Sequence, residues 1–428
     1  ALAQNEVASL ASLNYKDLAF GKNANPNFTM NLKNAFYQEK KLNFKPLLTQ
    51  RHVTLKPLND FKNLNVMIMQ DQPKAQARKT YILDRGAYDQ PKKDLEIFPN
   101  TPKALPTMKT NHGKNRLGFA QWIMDKDNTL TARVTVNRYW MMLFGKGLVS
   151  TSSDFGNQGS WPTHPELLDW LATDFRDNGW NVKRTIKQIV MSKTYRQDSA
   201  VTEELLKRDR QNKLYARGPR FRLAGEHIRD SALQVGGLLS PQIGGESVKP
   251  YQPSGLWNEV SLLGNVRFVQ DKGEKNYRKS IYTYYKRSSP IPNMSTFDAP
   301  SREKCTIERS RTNTPLQALV TLNDPIFVEA ARFYAERIIK EGGKNFDDKI
   351  HYAFKSSLAV DAEPYQVTHV KAFYKRRLAE FQKDPKLADA LLSIGDSERD
   401  KTLDPAEHAS WTLIAQLVLN LDENLNKE

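Results

Sequence analysis

The stretch "THPELLDWLATDFRDNG", Thr163 to Gly179, reads as one amphipathic helix and sets the class of the fold. Thr163 is the expected N-cap, with Pro165 in the first turn and Glu166 completing a capping box. Leu167, Leu168, Leu171 and Phe175 then recur at helical spacing, and Gly179 supplies the stop. The next run repeats this logic with Val182, Ile186, Ile189 and Val190 on one stripe, and "RLAGEHIRDSALQVGG" is a further helix ending at Gly236 and Gly237. Upstream the text changes character. "NVMIMQ" and "KTYILDRG" read as short strands or extended segments, while Pro73, Pro91, Pro99, Pro102 and Pro106 keep their connections non-helical. The expected fold is mainly α, a multi-helix assembly with a minor β component and long ordered loops. It divides into an irregular, partly helical opening segment (1–60), a short-strand or extended linker region (61–114) and a mainly helical domain (115–428).

Composition narrows the function classes. The 428 residues are 39% hydrophobic and 10% aromatic, ample for a large core, and no run of about eighteen apolar residues offers a membrane-spanning helix. The N-terminal "ALAQNEVASLASL" lacks the basic start and apolar centre of a signal peptide, so such a peptide is expected to be absent or already removed. The missing initiator Met favours a processed or cut chain. A net charge of +16 makes polyanions natural partners. The Lys and Arg residues are spread along the chain, however, without zinc-finger spacing, an RNP strand or a long basic run, so nucleic acid is not the expected partner. Cys305 is the only cysteine, which excludes an internal disulfide, a multi-cysteine metal site and a Cys-x-x-Cys-His haem attachment. In "SREKCTIER" it alternates with charged residues and has no His nearby in sequence, so a reduced, buried thiol is expected rather than a nucleophile.

Two loop systems hold the unusual residues. "STSSDFGNQGSWPTHP", Ser150 to Pro165, contains an Asp-Phe-Gly triplet, but no Gly-rich phosphate loop, strand lysine or His-Arg-Asp loop accompanies it, which excludes a kinase. Asp154 is read as a turn or capping residue. His164, in the first helical turn at a loop mouth, suits either acid–base work or a local hydrogen bond. The second system, "NYRKSIYTYYKRSSPIPNMSTFDAPSREKCTIERSRTNTP" (Asn276 to Pro315), opens as an expected strand. Tyr282 and Tyr284 share one face, with Ile281, Thr283 and Tyr285 on the other. It closes on a helix with Thr314 as N-cap, Pro315 at N1 and Gln317 completing a capping box. Arg309 and Arg311 precede that helix start, where Arg302 joins them if the connection folds back. Guanidiniums at a positive helix end suit bidentate contact with carboxylate, sulfate or phosphate. The competing expectation is a buried network in which Asp298, Glu303 or Glu308 satisfies them. With Asn313, Asn137, Arg138, Asp154 and His164 these arginines form the candidate ligand-binding set. Catalytic residues are not identified, no metal site is expected, and whether the domain is an enzyme stays open.

The segments "LTARVTVNRYWMMLFGKGLVSTSSDFGNQGSWPTHPELLDWLATDFRDNGWNVKRTIKQIVMSKTYRQDS", "YARGPRFRLAGEHIRD", "GGESVKPYQPSGLW", "FDAPSREKCTIERSRTNTPLQALVTLNDPIFVEAAR" and "ASWTLIAQLVLNLDENLNKE" share a further feature. Together they closely resemble the C-terminal domain of unknown function of planctomycete-type cytochrome c-associated proteins, found in Planctomycetes, Verrucomicrobia and some Bacteroidetes. The resemblance runs from about Asn65 to Glu428. It implies an exported chain at the periplasm or cell surface, with a c-type haem domain and a companion domain upstream or on a separate chain. The present sequence has neither, so no cofactor is expected in it, and it resembles the C-terminal portion of a longer protein. Two functions follow as expectations. In one, the domain binds an anionic or polyhydroxylated substrate, a sugar or sulfated glycan, for an oxidoreductase. In the alternative, it is a non-catalytic scaffold or protein-interaction module.

Overall fold

The computed structural model describes residues 67–261 and 267–427, so the expectation for residues 1–60 lies outside the described residues. Two compact units divide at Phe98 and Pro99. In the first, β1 (Thr80–Leu83) pairs antiparallel with β2 (Pro91–Ile97), Thr80 opposite Ile97 and Tyr81 opposite Glu96, before a register shift sets Leu83 opposite Pro91. "KTYILDRG" is therefore a strand running into a turn, and "MIMQ" is an exposed extended segment.

The second unit carries all fifteen α-helices seen among the described residues. First come α1 (Arg116–Ile123), α2 (Thr129–Phe144), α3 (Pro165–Asp177), α4 (Val182–Met191) and α5 (Glu203–Arg208). A two-residue strand β3 (Phe221–Arg222) leads into α6 (Gly225–Gly236), the single turn α7 (Leu256–Glu259), α8 (Pro292–Thr296) and α9 (Pro315–Asn323). The remainder is α10 (Pro325–Glu341), α11 (Phe346–Leu358), α12 (Pro364–Lys383), α13 (Pro385–Leu392), α14 (Pro405–Leu419), α15 (Asp422–Leu425) and β4 (Asn426–Lys427). The fold is mainly α with a minor β part. Among the described residues no helix is long and apolar enough to cross a membrane.

Three hydrophobic clusters organise this unit, the smallest of them Phe381, Ala388, Leu392, Ala406 and Ala409. In α3, Leu168, Leu171, Ala172 and Phe175 are buried at the i, i+3, i+4, i+7 spacing that puts them on one stripe. They close over Val136, Trp140 and Phe144 of α2 and Ile189 of α4. In the larger core α10 is central, and Ala330, Ala331 and Ala335 are fully buried where α6 and α14 pack on it. A polar knot crosses this core. The Glu329 carboxylate, wholly buried, accepts hydrogen bonds from Tyr251 Oη (2.8 Å), Tyr277 Oη (2.9 Å) and the Ser397 amide (2.8 Å), and it faces the buried Arg332 guanidinium at 3.3 Å. Arg332 also donates to the carbonyls of Leu392 and Ser397. Burial beside this carboxylate pushes the Tyr277 phenol up to about 12.

Four local expectations are corrected. His164, not Thr163, is the N-cap of α3 and makes no side-chain cap bond, and the Thr163 amide that a capping box would offer to Glu166 donates instead to the Leu148 carbonyl at 2.9 Å. Thr314 does cap α9 by position, but no capping box forms. Gln317 turns inward, donates to Thr296 O and Thr312 Oγ1, and accepts from Arg222. The tyrosine segment is no regular strand; it holds a 3-10 turn at Ser280–Tyr282 and two isolated parallel bridges, Ser240 with Arg278 and Val248 with Thr283. Its backbone groups are taken by side chains instead, since Arg229 binds the carbonyls of Asn276 and Arg278 and Asp230 accepts from the Ser280 amide. Cys305 is exposed, on a loop whose residues 301–314 are all exposed.

Candidate functional site

The residues that converge on an opening in the second unit do so around α6. One face of this helix, Ile228, Ala232 and Leu233, is committed to the core. The opposite face presents His227, Asp230, Ser231 and Gln234, which line a groove of about 770 Å³ with the C-terminal end of α11 and the segment Glu423–Lys427. Leu223, Val235 and Leu239 give it an apolar floor. Some of its polar groups are already engaged. Asp230 accepts from the amide and hydroxyl of Ser280 at 2.9 and 2.6 Å, and Asn424 accepts from Ser357 at 2.7 Å. The side chains of His227, Ser231, Gln234, Glu423 and Lys427 have no hydrogen-bond or ion-pair partner among the described residues.

Lys427 is placed by the β3–β4 ladder, which sets it opposite Phe221. Its ammonium lies 4.3 Å from the centre of the Tyr195 ring and 5.9 Å from that of Phe221. Aromatic faces stabilise a cation there without neutralising it, and burial lowers its pKa from the ordinary lysine value. The Arg311 guanidinium covers the same Phe221 ring at 4.3 Å and donates to the Gly145 carbonyl at 3.1 Å. Gly145 makes this approach feasible. It ends α2 at φ +80°, and a Cβ there would stand 2.8 Å from the Phe221 ring and 3.1 Å from Arg311 Nη1. Arg311 and Lys427 thus flank one aromatic ring; neither makes a close ion pair among the described residues, although the Glu308 charge acts on Arg311.

The other arginines are held separately. Arg309 donates to Glu226, in the first turn of α6, at 2.8 Å. Burial alone would raise the Glu226 carboxyl, but Arg309, with Arg302 adding its charge, holds it below the usual range. Glu226 therefore takes the role foreseen for Asp298, Glu303 or Glu308. Asp298 instead accepts from the Thr312 amide and hydroxyl, and Glu303 lies 3.9 Å from Arg287. Arg302 rests on the Tyr285 ring at 4.6 Å, while the Tyr285 hydroxyl donates to the Pro300 carbonyl. Arg302 and Asp298 both sit at positive φ, 61° and 59°, a conformation that costs a non-glycine residue about 1–2 kcal/mol and that the surrounding contacts hold.

The remaining sequence candidates do not join this opening. Asn137 is wholly enclosed and clamps Val149 with both ends of its amide, at 2.9 and 3.1 Å. Asp154 closes a turn by accepting from the Gly156 amide at 2.7 Å. His164 lies 3.0 Å from Thr163 Oγ1 and packs near Tyr215, with ring centres 5.5 Å apart. Arg138 and Asn313 are exposed and lack side-chain partners among the described residues. Sequence reasoning missed His227, Ser231, Gln234, Glu423 and Lys427. The first three do carry a signal, a polar stripe at i, i+4, i+7 in a helix already recognised. No group of His, Cys, Asp and Glu that could hold a metal ion occurs among the described residues.

A family model, PSD1, described as "Protein of unknown function (DUF1553)", matches residues 115–374. No curated protein and no solved structure matches the chain.

Proposed function

We propose that this chain, which belongs to the PSD1 family of proteins of unknown function, binds an anionic, polyhydroxylated ligand, a sugar or sulfated glycan, in the groove beside α6. One observation carries the reading: five polar side chains without hydrogen-bond or ion-pair partners line a single groove, and one of them, Lys427, is a cation held on aromatic rings. Gln234, Ser231 and Glu423 offer the donors and acceptors that hydroxyl groups use. Lys427 and Arg311, on their aromatic supports, offer charge to a sulfate or carboxylate. The net charge of +16 acts in the same direction by drawing polyanions to the surface. The resemblance described above extends the proposal to a setting, an exported cytochrome c-associated protein in which this domain holds substrate for an oxidoreductase whose haem lies on another segment.

Isothermal titration with a sulfated oligosaccharide and its desulfated counterpart tests the reading. Preferential binding of the sulfated form, weakened at least about fivefold by Lys427→Ala and by Gln234→Ala and falling with added salt, is expected. Equal affinities for the two sugars, or variants that bind like the parent, would count against it.

A further inference from the structure

The helix α9 is built inside out. Val320 packs partly buried against the larger core, but the two buried residues of α9 are polar and satisfied: Gln317 is fully buried among Arg222, Thr296 and Thr312, and Thr321 is 4% exposed and bonded to Asn420 at 2.7 Å. Its leucines face water, Leu316 and Leu319 more than half exposed and Leu322 at 37%. A helix that spends polar side chains on the interior and three leucines on solvent is arranged for contact outside its own domain. The loop leading into it is cationic and wholly exposed. Residues 301–313 carry Arg302, Lys304, Arg309 and Arg311 against Glu303 and Glu308, and the helix dipole adds positive charge at the same end.

We propose that the α9 face is a docking surface for a segment of a partner protein, an amphipathic helix whose apolar stripe covers Leu316, Leu319 and Leu322 and whose carboxylates meet the arginine end of α9. Charge complementarity selects this occupant. A second copy of this chain would bring its own cationic loop against the first, and a basic segment would be repelled. The mode is helix against helix, read through anchors at helical spacing. It shares only Arg311 with the ligand reading and otherwise uses residues outside the groove beside α6, so the leucine substitutions can fail or succeed without deciding that reading.

The test uses the whole chain and two labelled synthetic helical peptides that share a leucine stripe, one ending in three glutamates and the other in three lysines. Fluorescence anisotropy is expected to show binding of the glutamate peptide at tens of micromolar, with the lysine peptide about tenfold weaker or worse. Leu316→Ser/Leu319→Ser should weaken the glutamate peptide by at least about tenfold at an unchanged melting temperature, since exposed leucines hold little of the fold together. Leu319→Ser alone gives the same reading should the double variant fold poorly. Equal binding of the two peptides, no binding of either below about 1 mM, or a parent dimer that these substitutions convert to monomer in sedimentation would overturn the proposal.

Discussion

Replacing Gly145 with alanine probes the junction of fold and site. The residue sits at φ +80°, where an alanine costs about 1–2 kcal/mol because its Cβ crowds the backbone. The added Cβ would also come within 2.8 Å of the Phe221 ring and 3.1 Å of Arg311 Nη1, and moving well-packed groups aside adds about 1–3 kcal/mol. The total expected loss is about 2–5 kcal/mol. Gly179, just past α3, is the control: it has φ +71° with nothing within 4 Å of the added Cβ, so Gly179→Ala should lose only the conformational part, about 1–2 kcal/mol. Urea denaturation followed by circular dichroism gives both values. Gly145→Ala should also weaken the sulfated oligosaccharide severalfold by displacing Arg311 and Phe221, whereas Gly179→Ala should leave binding intact. If the two variants lose the same stability within about 0.5 kcal/mol, the close approach of Phe221 and Arg311 to Gly145 is not what the packing requires.

Three further outcomes are expected. Glu329→Gln leaves the Arg332 charge buried without its carboxylate and should cost about 3 kcal/mol in the same denaturation assay, while Glu329→Gln/Arg332→Met should lose less than the single changes combined. His408 is fully buried, and burial lowers its pKa to about 4, so the unfolded chain binds the extra proton between the two values. Stability is therefore complete above about pH 6.5 and falls by about 3 kcal/mol as the pH drops towards 4, a slope that His408→Gln should flatten in melting curves taken across that window. Cys305 is exposed, so a thiol reagent should label the native protein as fast as the denatured one; labelling only after unfolding would contradict its placement.

What the sequence discloses follows from how local each determinant is. The apolar stripes of α3 and the Gly-terminated α6 depend on neighbours within two turns, and both helices stand where periodicity puts them. The start of α3 lies one residue later than expected and has no capping box, since the Thr163 amide answers to Leu148, fifteen residues away. The tyrosine segment fails as a strand for the same reason, since Arg229 and Asp230 claim its backbone from a distant helix. In α9 the polar Gln317 faces inward because buried donors and acceptors from three other segments wait for it, a fact that no hydrophobic pattern encodes. Half of the groove is a legible polar stripe on α6. The other half arrives from the C-terminal end through a two-residue ladder too short to leave a signature, so Lys427 meets Phe221 only in three dimensions. The arginines stand close together in the sequence, but their separate supports, Tyr285, Glu226 and Phe221, are not legible there.

The most direct test of ligand binding beside α6 is a crystal structure of this chain with a sulfated oligosaccharide at saturating concentration. The expected density lies in the groove, with a sulfate within hydrogen-bond distance of Lys427 Nζ or Arg311 and sugar hydroxyls on Gln234 and Glu423. A sugar bound elsewhere on the surface, with the side chains of His227, Gln234 and Lys427 untouched, would contradict the account.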